Sequence, residues 1–149
     1  MKPFIVLIIA FTVSLLILFL VRHQWNYILA GNIAMCVMLC FTSIAHFAFK
    51  KGMAMMIPGF IPFKNALVFV TGIFEIIAGI GLLFTNYRTI TAWSLIIFFL
   101  LMLPANIHAA IKKVDYQKGN FEGSGINYLW FRIPLQIFFI AWVYFFSVK

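Results

Sequence analysis

The sequence predicts an all-α membrane protein with five transmembrane spans, and three observations support this fold class. Of the 149 residues, 65% are hydrophobic and only 9% are charged, whereas a soluble domain is about half apolar and a quarter charged. The apolar residues lie in five long runs, each close to the roughly 20 residues that cross a bilayer as a helix. None of these runs alternates with period two, which argues against a transmembrane β-barrel. The composition excludes a soluble enzyme, a disordered tail and a disulfide-rich secreted domain.

The five apolar runs define the spans in chain order. The first run is longer than the apolar region of a signal peptide and lacks a small-residue cleavage site, so we expect an uncleaved first span. The third run carries Glu75 near its middle, the fourth carries Pro104, and the fifth carries Arg132 in its first half. The spans are predicted at residues 3–21, 25–49, 65–84, 89–110 and 128–148.

Two connections between the spans are long enough to have a structure of their own. Residues 52–64 are apolar, but they are too short to span and are interrupted by Pro58 and Pro62, so we expect them to lie in the interface or turn back towards the bundle. Residues 112–127 are the one polar stretch. Since nothing is left over for a soluble domain, the sequence predicts a single membrane domain over residues 1–149.

The net charge of +8 is explained by basic residues that end the spans, set topology and meet anionic lipid head groups. No nucleic-acid partner is therefore expected.

Basic residues in loops on the side of the amino terminus are Lys2, Lys50, Lys51, Lys64, Lys112, Lys113 and Lys118, against Arg22, Arg88 and Lys149 on the other side. This excess predicts a cytoplasmic amino terminus and an external carboxyl terminus.

The two cysteines are interpreted as packing residues. Cys36 and Cys40 lie four residues apart in an apolar run, which places them on one helical face without favouring a disulfide between them. The chain has no C-x-x-C motif and no spacing typical of a zinc site. The pattern argues against a membrane thiol–disulfide oxidoreductase and predicts no metal.

Glu75 is the most informative single residue. It lies about eleven residues into its span, near the middle of the bilayer, where a charged side chain costs at least a few kcal/mol. We therefore expect it to face the bundle and to be protonated or paired. Gly72 and Gly79 share its helical face and would let a neighbouring helix approach closely. Two interpretations stay open: a structural carboxylate that locks two helices together, and a ligand or proton site.

Four further polar residues lie within the spans. Arg132 and Gln136 form an i, i+4 pair, which either points into the bundle or allows the arginine to reach the head groups; we favour the inward orientation. Asn106 follows Pro104, and a proline frees a backbone carbonyl one turn back in its helix. His46 lies on the last turn of the second span, where an interfacial residue and a ligand are equally good interpretations.

In the five-span topology these polar residues fall in the half of the bilayer next to the amino-terminal side. The group there comprises His46, Pro58, Pro62, Asn106, Arg132 and Gln136, with Glu75 at its floor. His108 points to a different helical face from Asn106, so at most one of the two reaches a shared pocket. The chain shows no nucleophile–base pair, phosphate-binding glycine loop or metal-ligand set beside them. The pattern favours binding or proton handling, and we do not expect a stand-alone enzyme.

Five short motifs between residues 30 and 146 together resemble the DoxX family of small bacterial membrane proteins, in that family's order and approximate spacing. The motif residues are His46 and Phe47; Pro58 and Pro62; Thr71, Gly72, Glu75, Gly79, Gly81, Leu82 and Leu83; Pro104, Ala105, Asn106 and Ile107; and Arg132, Pro134 and Gln136. The resemblance implies a four-helix transmembrane bundle over about residues 25–148, to which the span at 3–21 is an addition, and a location in the bacterial inner membrane. The chain departs from the family at Thr42 and Ser43, where many relatives have a glycine.

The resemblance also implies a role. The DoxX name comes from a subunit of an archaeal thiosulfate:quinone oxidoreductase, and other members are linked to membrane redox or oxidative-stress complexes. No catalytic residues are established for the family, so Pro58, Pro62, Gly72, Gly79, Pro104 and Pro134 are transferred only as structural motif positions.

These observations lead us to expect an accessory subunit of a membrane redox or stress-related system. It would bind a small lipophilic or quinone-like molecule near Glu75, His46, Asn106, Arg132 and Gln136. No cofactor is evident beyond a quinone or lipid, and the expected partners are the bilayer and either another subunit or a second copy of the chain. The alternative is a structural or assembly subunit without a ligand. A small transporter is a weaker alternative, because the chain lacks paired broken helices in two matching halves.

Overall fold

The computed structural model describes residues 2–149, and that part of the chain is helical, with one isolated bridge in a loop. Its α-helices are α1 (Lys2–Arg22), α2 (Tyr27–Ala48), α3 (Lys50–Met56), α4 (Lys64–Gly81), α5 (Thr85–Ile111) and α6 (Ile126–Val143), and a π-helical turn extends α6 over Tyr144–Val148. Five of these helices, all except α3, are long and apolar enough to cross a membrane. The structure confirms the all-α class and the five candidate spans.

Short linkers decide how successive helices are arranged. Four residues separate α1 from α2 and three separate α4 from α5, so each pair folds back as an antiparallel hairpin. The side chain of Asn26 caps α2 by accepting a hydrogen bond from the Leu29 backbone N–H at 2.9 Å. Helix α5 begins at Thr85, before the expected start at residue 89, because the chain turns immediately after α4 ends.

Helices α2 and α4 are in close contact along the glycine face of α4. A Cβ atom added to Gly72 would lie 2.8 Å from the Cβ of His46, and one added to Gly79 would lie 3.3 Å from the Cα of Cys36. A side chain at Gly72 would clash, and one at Gly79 would be tighter than most contacts of this kind, so the two glycines allow the helices to approach closely. Because Glu75 lies between the two glycines on this face, the close approach carries its carboxyl group directly against α2.

Helix α1 packs against α2 and against the end of α6. Leu7 is fully buried, and two edge-to-face aromatic pairs join α1 to α6: Phe4 with Phe138 at 5.4 Å between ring centroids, and Phe11 with Trp142 at 5.2 Å. Most other apolar side chains of α1 are exposed, as expected of a helix with one face towards lipid. The first span is thus part of the hydrophobic core as well as a peripheral helix.

A buried polar cluster ties the carboxyl-terminal end of the chain to the start of α2. Asn32, which is fully buried, donates to the backbone carbonyl of Phe146 at 2.9 Å and accepts from the Ser147 hydroxyl at 2.6 Å. Trp142 donates its indole N–H to the carbonyl of Gly31 at 3.1 Å. The sequence interpretation missed this cluster, although Asn32 is conspicuous as an amide within an apolar run.

The connection between α2 and α4 turns back onto the bundle, one of the two expected arrangements. His108 Nδ1 lies 2.9 Å from the carbonyl oxygen of Met56, which holds the end of α3 against α5. Lys64 donates to the carbonyl of Ile57 at 2.9 Å. Gly52 of α3 is packed so closely against the carbonyl of Tyr116, in the polar loop after α5, that a side chain would not fit there.

The α2–α4 contact predicts a selective effect of side-chain volume. We expect Gly72→Leu to lower the free energy of unfolding by about 1–3 kcal/mol, because the new side chain forces two tightly packed helices apart. Thermal unfolding of the purified protein in detergent measures the change. The control is Gly59→Leu, since a Cβ atom at Gly59 meets nothing within 4 Å. Equal melting temperatures for the two variants would contradict the close packing.

If the five candidate spans all cross the membrane, the two termini lie on opposite sides, and the excess of basic loop residues predicts a cytoplasmic amino terminus. We expect a green fluorescent protein fused to the amino terminus to fluoresce and an alkaline phosphatase fused to the carboxyl terminus to be active in bacteria. The exchanged pair of fusions provides the control and should be inactive. Active reporters of one kind at both ends would show an even number of spans.

Candidate functional site

A cavity of about 480 Å³ lies inside the bundle at the end where α1 begins. Lys2 and Pro3 of α1 line it, together with the last turns of α2, the α3 connection, α5 and the start of α6. Its walls are mainly apolar side chains, and several of these are buried, among them Leu39, Phe99 and Phe139. A volume of this size falls in the range of small-molecule sites.

All five residues predicted to bind a ligand line this one cavity: His46, Glu75, Asn106, Arg132 and Gln136. They come from four different helices, α2, α4, α5 and α6, so the convergence is a property of the tertiary structure. Three of them, Glu75, Asn106 and Gln136, are buried, whereas His46 and Arg132 are partly exposed. The structure brings the residues together, and their role in binding stays a prediction.

Glu75 is paired, as its depth in the span required. It is 6% exposed, and its carboxyl group lies between two residues of α2. The Oε2 atom is 2.8 Å from the Thr42 hydroxyl, and the Oε1 atom is 3.4 Å from His46 Nε2. These contacts cross the glycine-lined interface described above, so helix packing and the pairing of the carboxyl group depend on each other.

The ring of His46 is oriented from its other nitrogen. Its Nδ1 atom lies 3.1 Å from the carbonyl oxygen of Val68 and 3.1 Å from the Thr71 hydroxyl, which donates to the same carbonyl. Because a carbonyl oxygen only accepts, a hydrogen bond between Nδ1 and Val68 requires the hydrogen to be on Nδ1. In that tautomer Nε2 faces the Glu75 carboxyl group, and a proton placed between the two gives either an imidazolium–carboxylate pair or a neutral pair.

The Thr42 hydroxyl also contacts the Glu75 carboxyl group. It has a single hydrogen and two acceptors, the Glu75 carboxyl group at 2.8 Å and the Leu39 carbonyl at 3.0 Å. When Glu75 is ionised, the hydroxyl donates to the carboxylate. When the carboxyl group carries a proton on Oε2, it can donate to the hydroxyl, which in turn donates to Leu39. The contact between Thr42 and Glu75 can therefore persist in either protonation state of the carboxyl group.

An amide pair formed by residues of α5 and α6 also lines the cavity. Asn106 donates to Gln136 Oε1 at 3.3 Å, and Gln136 donates in turn to the backbone carbonyl of Phe99, in the turn of α5 that precedes Pro104. The Tyr128 hydroxyl lies 3.5 Å from Asn106 Oδ1. The amide pair joins α5 to α6. As expected, only one of Asn106 and His108 reaches the cavity, since His108 contacts α3 instead.

Arg132 lies on α6 one turn before Gln136 and one turn after Tyr128, and all three line the cavity. Among the side chains that the structure describes, the one contact within salt-bridge distance joins His46 and Glu75, so the guanidinium group has no carboxylate partner there. The inward orientation favoured from the sequence places a fixed positive charge at the cavity.

The six structural motif positions are distributed differently. Pro58 and Pro104 line the cavity, and Gly72 and Gly79 form the α2–α4 contact. Pro62 and Pro134 are exposed and are not among the lining residues. The two glycines therefore act through packing, and two of the four prolines shape the cavity itself.

The sequence interpretation did not assign to the site several polar residues that line it, among them Thr42, Thr71 and Tyr128. Each of these three lies four residues before a predicted one, namely His46, Glu75 and Arg132. Residues at i and i+4 share a helical face, so extending each predicted position back by one turn would have identified all three.

Comparison with known proteins yields one match. A family model described as "Domain of unknown function (DUF8561)" matches residues 35–147, which cover the whole cavity except the start of α1. No curated protein and no solved structure matches the chain.

The amide pair predicts a measurable contribution to stability. We expect Gln136→Leu to lower the free energy of unfolding by about 1–3 kcal/mol, because the change leaves Asn106 and the Phe99 carbonyl without their partner. Thermal unfolding compared with Gln24→Leu, a change at an exposed residue between α1 and α2, isolates this loss. A Gln136→Leu protein as stable as this control would show that the pair contributes nothing.

Proposed function

The chain belongs to the DUF8561 family, and we propose that it is a DoxX-like membrane protein that binds a small lipophilic or quinone-like molecule in the cavity. The observation that carries the proposal is the convergence of a few polar groups from four helices on a mainly apolar cavity of about 480 Å³. This combination is typical of small-molecule sites. We further propose that the bundle formed by α2, α4, α5 and α6 is the DoxX-like core.

The chemistry of the walls suits a ring that carries polar oxygen atoms. Arg132 and Tyr128 can donate hydrogen bonds from α6, and the contacting side chains of His46 and Glu75 also line the cavity. A quinone carries carbonyl acceptors on a flat apolar ring, and its reduction consumes protons. The pair of His46 and Glu75 could supply or receive a proton, and the Thr42 hydroxyl could then reorient between its two acceptors.

The cellular setting rests on the resemblance and on the helices together. Five helices that could cross a membrane support a multi-pass protein, and the resemblance over residues 30–146 points to the bacterial inner membrane. We propose that the chain acts there as an accessory subunit of a redox or stress-related system, with another subunit or a second copy as partner.

A structural or assembly role without a ligand is the second candidate, and one observation favours it. Among the described residues, every fully buried side-chain nitrogen or oxygen has a hydrogen-bond partner. The polar cluster could therefore serve only to fix the packing of four helices. The two candidates differ in what removal of the Glu75 charge should do.

The test is Glu75→Gln, with Glu122→Gln in the exposed polar loop as the matched loss of one carboxylate. We expect the first change to weaken binding of decylubiquinone to the purified protein by about tenfold, which is close to 1.4 kcal/mol, and the second to leave it unchanged. Titration of the quinone measures the affinity, and mass spectrometry of extracted lipids identifies any molecule that co-purifies.

Thermal unfolding of the same variants separates the two candidates. A purely structural cluster predicts that Glu75→Gln lowers the melting temperature while no lipophilic ligand binds to any form of the protein. Unchanged quinone affinity in Glu75→Gln would refute a binding role for this residue.

A further inference from the structure

Arg132 carries a charge that the protein itself does not balance. The described chain has three acidic residues, and each is engaged elsewhere. Glu75 pairs with His46 and Thr42. Asp115 and Glu122 lie in the polar loop after α5, where Asp115 accepts hydrogen bonds from backbone N–H groups of the loop and Glu122 accepts one from an asparagine side chain.

A guanidinium group beside an apolar cavity requires a counter-charge or water. An arginine within a transmembrane segment is costly and is normally paired or turned to a polar region. Its planar fork matches a carboxylate or phosphate group in a bidentate arrangement. The neighbouring polar groups, Tyr128 and Gln136, are neutral, so neither of them can neutralise it.

The charge around the cavity favours the approach of an anion. Lys2 lines the cavity together with Arg132. Other lysines lie at the same end of the bundle, on α3, at the start of α4 and after α5: Lys50, Lys51, Lys64, Lys112 and Lys113. Clefts with one sign of charge and apolar walls raise the local concentration of the opposite charge.

The shape of the cavity adds an apolar requirement. Its lining extends from buried residues such as Met38 and Phe98 to residues on the outer faces of α2 and α5. Ile44 is 62% exposed and Leu101 is 67% exposed, and in a membrane such surfaces face the acyl chains. An apolar tail could thus lie along the walls and reach the bilayer. A small water-soluble anion has no apolar chain with which to make these contacts.

We infer that the cavity binds an anionic amphiphile, with its carboxylate or phosphate head held by Arg132 and its apolar chain along the walls formed by α2, α5 and α6. This inference rests on the proposed binding function and specifies the polar end of the ligand. It assigns Arg132 the selection of the head group, a role distinct from the proton handling proposed for His46 and Glu75. A fatty acid and a lysophospholipid are two sources of this shared chemistry.

The test compares probes with one alkyl chain and different heads. Radiolabelled oleate, oleoyl lysophosphatidate and oleyl alcohol are titrated against the full-length protein in dodecylmaltoside micelles, at a pH at which both acids are ionised. We expect at least one of the acids to bind about tenfold or more tightly than the alcohol, the gain expected of a charged hydrogen-bonded pair. The comparison is made on the unaltered protein and so does not depend on the folding of a variant.

Variants then locate the effect. Arg132→Gln should abolish the preference for the acids. Arg88→Gln should retain it, because this arginine lies at the start of α5, at the other end of the bundle, and donates to the carbonyl of Leu82. Arg132→Lys keeps the positive charge but replaces the planar guanidinium group, and it should retain part of the preference. A preference that survives in Arg132→Gln would overturn the assignment.

The remaining outcomes are equally decisive. Tighter binding of oleate than of lysophosphatidate identifies a fatty acid as the source, and the reverse order identifies a phospholipid. Inorganic phosphate that competes fully with the acids would overturn the need for an apolar chain. If oleyl alcohol and decylubiquinone bind as tightly as the acids, the inference fails and the proposed function stands. If no probe binds, both fail.

Discussion

A carboxyl group in the middle of an apolar helix must be paired, and the packing of this protein is arranged around that requirement. Glu75 can reach its partners on α2 only because glycines on either side of it let the two helices approach closely. The same contact places His46 against Val68 and Thr71, which orients the imidazole ring. A bulkier residue at Gly72 would therefore disturb helix packing, the pairing of the carboxyl group and the orientation of the ring together.

Two groups of polar residues with different chemistry line the cavity. On the α2–α4 side, an imidazole, a carboxyl group and two hydroxyl groups contact one another. On the α5–α6 side, an amide pair is fixed by a backbone carbonyl, and beside it stands an arginine whose charge does not titrate. A ligand that spans the cavity would meet a wall able to exchange a proton and a wall able to hold an anion. This asymmetry is the basis of the proposed ligand site.

Much of this arrangement was predictable because helical periodicity is a local property. The spans follow from runs of apolar residues, and the inward faces follow from polar residues spaced by three or four. Glu75 with its two glycines was identified in this way, as was the pair of Arg132 and Gln136. The same rule, carried one turn further, would have included Thr42, Thr71 and Tyr128. Asn32 was missed because its partners lie at the far end of the chain, on the last turn of the final helix.

The sequence by itself determined the helical class, the number of candidate spans and the residues that cannot face lipid, because each of these depends on the cost of polar groups in an apolar medium. Only the tertiary structure decided which residues meet. It showed that His46 faces Glu75, that Asn106 rather than His108 reaches the cavity, and that Arg132 is left without a carboxylate in the described chain. Such contacts depend on the rotation and spacing of helices that are distant in sequence, and periodicity along one helix carries no information about its neighbour.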